Sequence, residues 1–71
     1  MMCFVVTEGL EDAPRFFAET LEDAARYISR RWDGLEITNY IISIHEDNGE
    51  EELYCYNPVE VYYLCQSLGL L

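Results

Sequence analysis

Apolar positions recur along this chain with two periods, and the changes of period mark its elements. From Met2 to Glu8 the β-formers Cys3, Phe4, Val5 and Val6 predict a strand. Gly9 to Pro14 reads as a loop. Arg15 to Glu19 (RFFAE) reads as a short second strand paired with the first, or alternatively as the opening of the next helix. Thr20 is an N-cap, with Asp23 three residues later in a near capping-box pattern. Leu21, Ala25, Ile28 and Trp32 then fall at i, i+4, i+7 and i+11, one face of an α-helix. Arg26, Arg30 and Arg31 lie toward its C-terminal end, where cations suit the helix dipole. Gly34 supplies the stop.

The period returns to two over Glu36 to Glu46, a long strand rich in Ile and Tyr. Asp47-Asn48-Gly49 is a turn and Glu50 to Tyr56 the return strand, because Asn-Gly suits the positive φ angles of a type I′ hairpin. Asn57 is the N-cap of a second helix, with Pro58 at N1 and Glu60 at N3. Val61, Leu64, Cys65 and Leu68 line one of its faces, and Gly69 ends it. The order β-β-α-β-β-α predicts a single α+β domain over residues 1–71, a small antiparallel β-sheet with two α-helices on one face.

A two-residue Asn48-Gly49 turn sets a register. Asp47 opposes Glu50, Glu46 opposes Glu51, His45 opposes Glu52, Ile44 opposes Leu53, Ser43 opposes Tyr54, Ile42 opposes Cys55 and Ile41 opposes Tyr56. Alternation then puts Tyr40, Ile42, Ile44, Leu53 and Cys55 under the helices. Ile41, Ser43, His45, Glu52, Tyr54 and Tyr56 share the other face. Like charges directly opposite one another cost roughly 0.2–1 kcal/mol per pair, which a turn serving stability alone has no reason to bear. The expected partner-binding surface is therefore the acidic tip and its aromatic border: Glu46, Asp47, Glu50, Glu51, Glu52, Tyr54 and Tyr56. The alternative is a solvated tip whose Tyr side chains are covered by the first hairpin.

Charge strengthens that expectation. The 71 residues include 14 acids against four Arg and no Lys, a formal net charge of −10. Such a chain is repelled by nucleic acid and by anionic membranes, and its natural partners are basic. Alternate carboxylates on a strand stand roughly 6.6–7 Å apart, of the order of successive phosphates on a nucleic-acid strand. A rigid acidic edge can thus occupy Arg and Lys sites that a backbone would otherwise fill, and Arg holds carboxylates in a bidentate fork. Glu8, Glu11, Asp12, Glu19, Glu22 and Asp23 form a second acidic group. With 51% apolar residues, among them six Tyr, three Phe and one Trp, the chain is not a disordered acidic tail.

Other chemistry is poorly supported. Cys3, Cys55 and Cys65 are odd in number and irregularly spaced, which reads as free thiols in a reducing, cytoplasmic compartment. The N-terminal MMCFVV lacks the basic n-region of a signal peptide, and no apolar run approaches membrane-spanning length. An EF-hand loop with Gly49 at position six would place Asn48 at five, Glu46 at three and Ile44 at one, so the pattern fails. No His/Cys pairs stand at zinc spacing, and no metal or cofactor is expected. His45, the only histidine, falls on the face opposite Cys55 in this register, which leaves no nucleophile–base pair and predicts a non-enzymatic protein. Tyr62 and Tyr63 cannot both point inward, so one is free for a homodimer contact or for the partner.

A short, Lys-free, strongly acidic α+β chain resembles the small phage-encoded inhibitors of bacterial defence, the anti-CRISPR and anti-restriction proteins, several of which mimic DNA. The strand, loop, strand and helix (ETLEDAARYISRRW) followed by an acidic hairpin are similar to the layout of some anti-CRISPRs. The resemblance is one of size, charge and element order. It implies a stoichiometric inhibitor that docks on a CRISPR complex or similar effector in the host bacterial cytoplasm and blocks DNA binding or cleavage. Two other classes stay open: an immunity protein or antitoxin capping a basic nuclease toxin, and a subunit or adaptor without inhibitory role.

Overall fold

The structure is a computed structural model and describes residues 2–8, 13–31, 40–46 and 51–70. Strands β1 (Met2–Glu8) and β2 (Ala13–Ala18) precede helix α1 (Leu21–Arg31); β3 (Tyr40–Glu46) and β4 (Glu52–Tyr56) precede helix α2 (Pro58–Ser67). The four strands form one antiparallel sheet in the order β2-β1-β3-β4. The α+β order read from the sequence is therefore the observed one. The RFFAE segment is strand and not helix, although β2 begins earlier, at Ala13, and ends at Ala18, one residue before Glu19. The sequence-predicted Asp47-Asn48-Gly49 turn, Trp32, the Gly34 stop and the first residues of the long third strand lie outside the described residues.

Both helices cover the same face of the sheet. Val6 from β1, Ala18 from β2 and Ile42 from β3 meet Ala24, Ala25 and Ile28 of α1 and Val61 and Cys65 of α2 in one buried cluster. Burial of this apolar surface is the main driving force holding the two layers together. The Cys65 thiol sits within that core, with its Sγ 3.7 Å from the Ala25 carbonyl oxygen. Phe16 stacks on Tyr27 (centroids 4.4 Å apart, planes 9° apart), and the Arg31 guanidinium lies 3.7 Å from the same ring's centroid. That stack joins α1 to β2.

Helix boundaries follow local chemistry. The Asp23 N–H donates to Thr20 Oγ1 at 3.1 Å, capping α1. Asn57 and Glu60 form a reciprocal capping box: Glu60 N–H donates to Asn57 Oδ1 at 2.9 Å and Asn57 N–H to Glu60 Oε1 at 3.1 Å. At the other end, Leu70 N–H reaches the Cys65 carbonyl and Gly69 N–H the Gln66 carbonyl, with Gly69 at φ 73°. This is a Schellman ending, which needs a left-handed residue at that point. Leu70 packs on the core, whereas Leu68, expected on the buried stripe, is exposed.

The β3–β4 register differs from the one set by a two-residue turn. His45 opposes Glu52 as expected, but Ile44 opposes Tyr54, Ser43 opposes Cys55 and Ile42 opposes Tyr56. Leu53, expected under the helices, is instead an exposed extra residue. It forms a β-bulge that moves every later side chain of β4 to the other face. The bulge puts the larger Tyr54 and Tyr56 on the helix-covered side and sends Cys55 to the open side. Tyr56 packs against the core there, burying apolar ring area that the unbulged register would leave in water.

Candidate functional site

The acidic end of the β3–β4 hairpin is built from the strand termini. Glu46 closes β3, Glu51 precedes β4 and Glu52 opens it, and all three are exposed. Their carboxylates find no ion pair or hydrogen bond among the described residues. Asp47 and Glu50, expected to share this surface, lie outside the described residues. The cations are elsewhere. All four Arg fall in residues 1–31, and residues 32–71 hold eight acids and no Lys or Arg. Three of the four are engaged locally: Arg15 with Glu8 at 3.3 Å, Arg26 with Glu22 at 3.1 Å, and Arg31 with the Tyr27 ring. The β3–β4–α2 half thus carries most of the uncompensated negative charge.

Tyr54 and Tyr56 do not flank these acids on the open face, where the two-residue turn would place them. The Leu53 bulge turns both to the helix side, where their rings meet edge to face at 4.9 Å. Tyr56 is partly buried. Tyr54 stays 47% exposed and its hydroxyl donates to Glu60 Oε2 at 2.5 Å. The Tyr54 hydroxyl and the Asn57 N–H hold the Glu60 carboxyl below the usual carboxylate range. The same bond, followed by burial and nearby negative charge, raises the Tyr54 hydroxyl. Sequence reasoning places Glu60 as a helix cap and misses its second role, because the partner lies across the strand-to-helix corner.

The open face also departs from expectation. Cys55 shares it with Ser43 and His45, and Cys3 lies directly opposite His45 on the neighbouring strand. The unbulged register separates Cys55 from His45. The Ser43 hydroxyl donates to the Val5 carbonyl oxygen at 3.4 Å and lies 3.1 Å from His45 Nε2. The His45 Nδ1 is buried without a hydrogen-bond partner among the described residues, and no hydrogen bond among them joins the ring to either thiol. Burial, then Glu52 and Glu60, pushes the Cys55 thiol up, away from the reactive thiolate. Among the described residues no three His, Cys, Asp or Glu side chains are grouped to hold a metal ion. None of the described helices is long and apolar enough to cross a membrane.

Phe17 stands on the open face at 65% exposure, and Tyr63 on the outer side of α2 at 61%. Alternation alone places Phe17, next to the buried Ala18; the sequence reading assigns it no role. These geometric features define a small antiparallel α+β protein with a strongly acidic hairpin end. No protein-family model, curated protein or solved structure matches the chain.

Proposed function

We propose that this protein is a non-enzymatic, stoichiometric inhibitor. It docks its acidic hairpin end on a basic nucleic-acid-binding groove of a bacterial defence complex, of the anti-CRISPR kind, and blocks DNA binding or cleavage. The observation that carries the reading is the segregation of charge. Glu46, Glu51 and Glu52 are exposed and without an ion pair among the described residues, on a sheet end whose half of the chain has no Lys or Arg. Intramolecular neutralisation would have been easy with Lys on the same strands, and the chain has none. An acidic surface held on strands competes for Arg and Lys without the entropy loss of ordering a flexible tail.

The partner-binding residues on this reading are Glu46, Glu51 and Glu52, with Asp47 and Glu50 as sequence neighbours. Tyr54 serves through its exposed ring edge, and Tyr56 as the support behind it. The protein acts in the bacterial cytoplasm, where such complexes work. The test is expression in bacteria carrying active CRISPR systems of several types, challenged with targeted phage. Restored plaquing in one type, with loss of DNA binding by that purified effector at equimolar inhibitor, is the expected result. Normal restriction of phage in every type overturns the reading.

A further inference from the structure

The two edges of the sheet are not alike. The β2 edge is guarded: it carries Pro14, and the extra residue Arg15 bulges out of its pairing with β1 and is tied to Glu8. Proline, bulges and charged side chains, Lys above all, are the usual devices that stop an edge from accepting another strand. At the far side, β4 pairs only with β3 among the described strands. It has no Pro, and its bulge at Leu53 and its acids Glu51 and Glu52 stand at its start, where they deter a neutral or acidic strand but not a basic one, and leave Tyr54, Cys55 and Tyr56 in regular pairing with β3. Glu51, Glu52, Leu53 and Tyr54 are all exposed, Leu53 at 45%.

We infer that β4 is a strand-addition site for an extended, Arg- or Lys-bearing segment of a partner protein. The inference rests on the inhibitor reading for its biological setting and deepens it by naming how the partner is held. An added strand would satisfy the outward N–H and C=O groups of β4 and supply affinity through the main chain. Its side chains would alternate between two acidic surroundings. Those on the open side approach Glu52; those on the helix side approach the Tyr54 ring and the Glu60 carboxylate, where an Arg gains both charge and cation–π contact. A second copy of this chain is the wrong occupant. It would bring two net charges of −10 together with Glu51 and Glu52 of each along one seam.

The experiment uses the full chain and an end-capped peptide of alternating Arg and Val. A matched peptide carries N-methyl groups on alternate residues of one edge, and a second matched peptide carries them on the other. All three have the same charge. One methylated peptide is expected to bind roughly tenfold or more weakly, as expected from losing its main-chain hydrogen bonds, while the other retains affinity. Amide hydrogen exchange should slow at Tyr54 to Tyr56. Equal affinity of all three peptides, protection confined to the open face around Phe17, or no binding at low salt overturns strand addition. Protection of β4 that grows with protein concentration and needs no peptide overturns it in favour of self-pairing. Phage protection reads separately: inhibition without β4 protection removes only the strand-addition inference, and β4 protection without inhibition removes only the defence-complex reading.

Discussion

The Tyr54 hydroxyl donates to the Glu60 carboxylate at 2.5 Å, and so joins the edge strand to the first turn of the helix that follows it. Glu60 is at the same time half of the Asn57 capping box. One carboxylate therefore holds the corner, the helix N-terminus and the orientation of an exposed ring.

That relationship predicts a pH signature. Glu60 titrates below the ordinary carboxylate range, so its contribution is complete above that range and is lost as pH falls through the depressed value. Tyr54 titrates above the ordinary tyrosine value, so its contribution is complete below that ordinary value and is lost as pH rises through the raised one. Tyr54→Phe should lower the melting temperature at neutral pH, and the gap from wild type should close at both extremes. Thermal scans of the two proteins across pH check this; a constant gap would show that the bond contributes no pH-dependent stability.

Tyr56 and Ile42 lie opposite one another under the helices. Ile42→Ala should cost about 2–5 kcal/mol, since it empties fully buried core space, and Tyr56→Ala should cost less than that, since its ring is only partly buried against the core. Ile41→Ala, one residue away on the open face, should cost less than half as much as Ile42→Ala. Urea unfolding measures all three. Comparable losses at residues 41 and 42 would contradict the observed face assignment.

Gly69 adopts φ 73°, and a Cβ built there meets nothing within 4 Å. Gly69→Ala should therefore destabilise by about 1 kcal/mol through backbone strain alone. Gly69→Asn should cost less, because Asn tolerates the left-handed region better. Denaturant midpoints decide between strain and an unsuspected packing role, which would make the two variants equal.

Neutralising the hairpin acids should separate binding from folding. Combined Glu46→Gln, Glu51→Gln and Glu52→Gln should shift stability by no more than about 0.5 kcal/mol per site, with no loss of cooperativity. Affinity for a basic partner should fall, and the salt dependence of binding should flatten. An unchanged salt slope in the triple variant would locate the electrostatic contact elsewhere, for example at Glu19, Glu22 and Asp23.

Much of the architecture was legible in the chain because its signals are local. Thr20, Asn57, Pro58, Glu60 and Gly69 complete their hydrogen bonds or set their dihedrals within a few residues, so the sequence by itself determined where the helices begin and where α2 ends. The hydrophobic periods determined the element order, and the composition determined the net charge. The tertiary structure alone decided the strand order, which makes β4 an edge, and the Leu53 bulge, which reverses the faces of Tyr54, Cys55 and Tyr56. Turn chemistry favours one register at the loop. The register farther along the hairpin is chosen by which side chains gain most from burial against α1 and α2, and that competition involves residues remote in the chain.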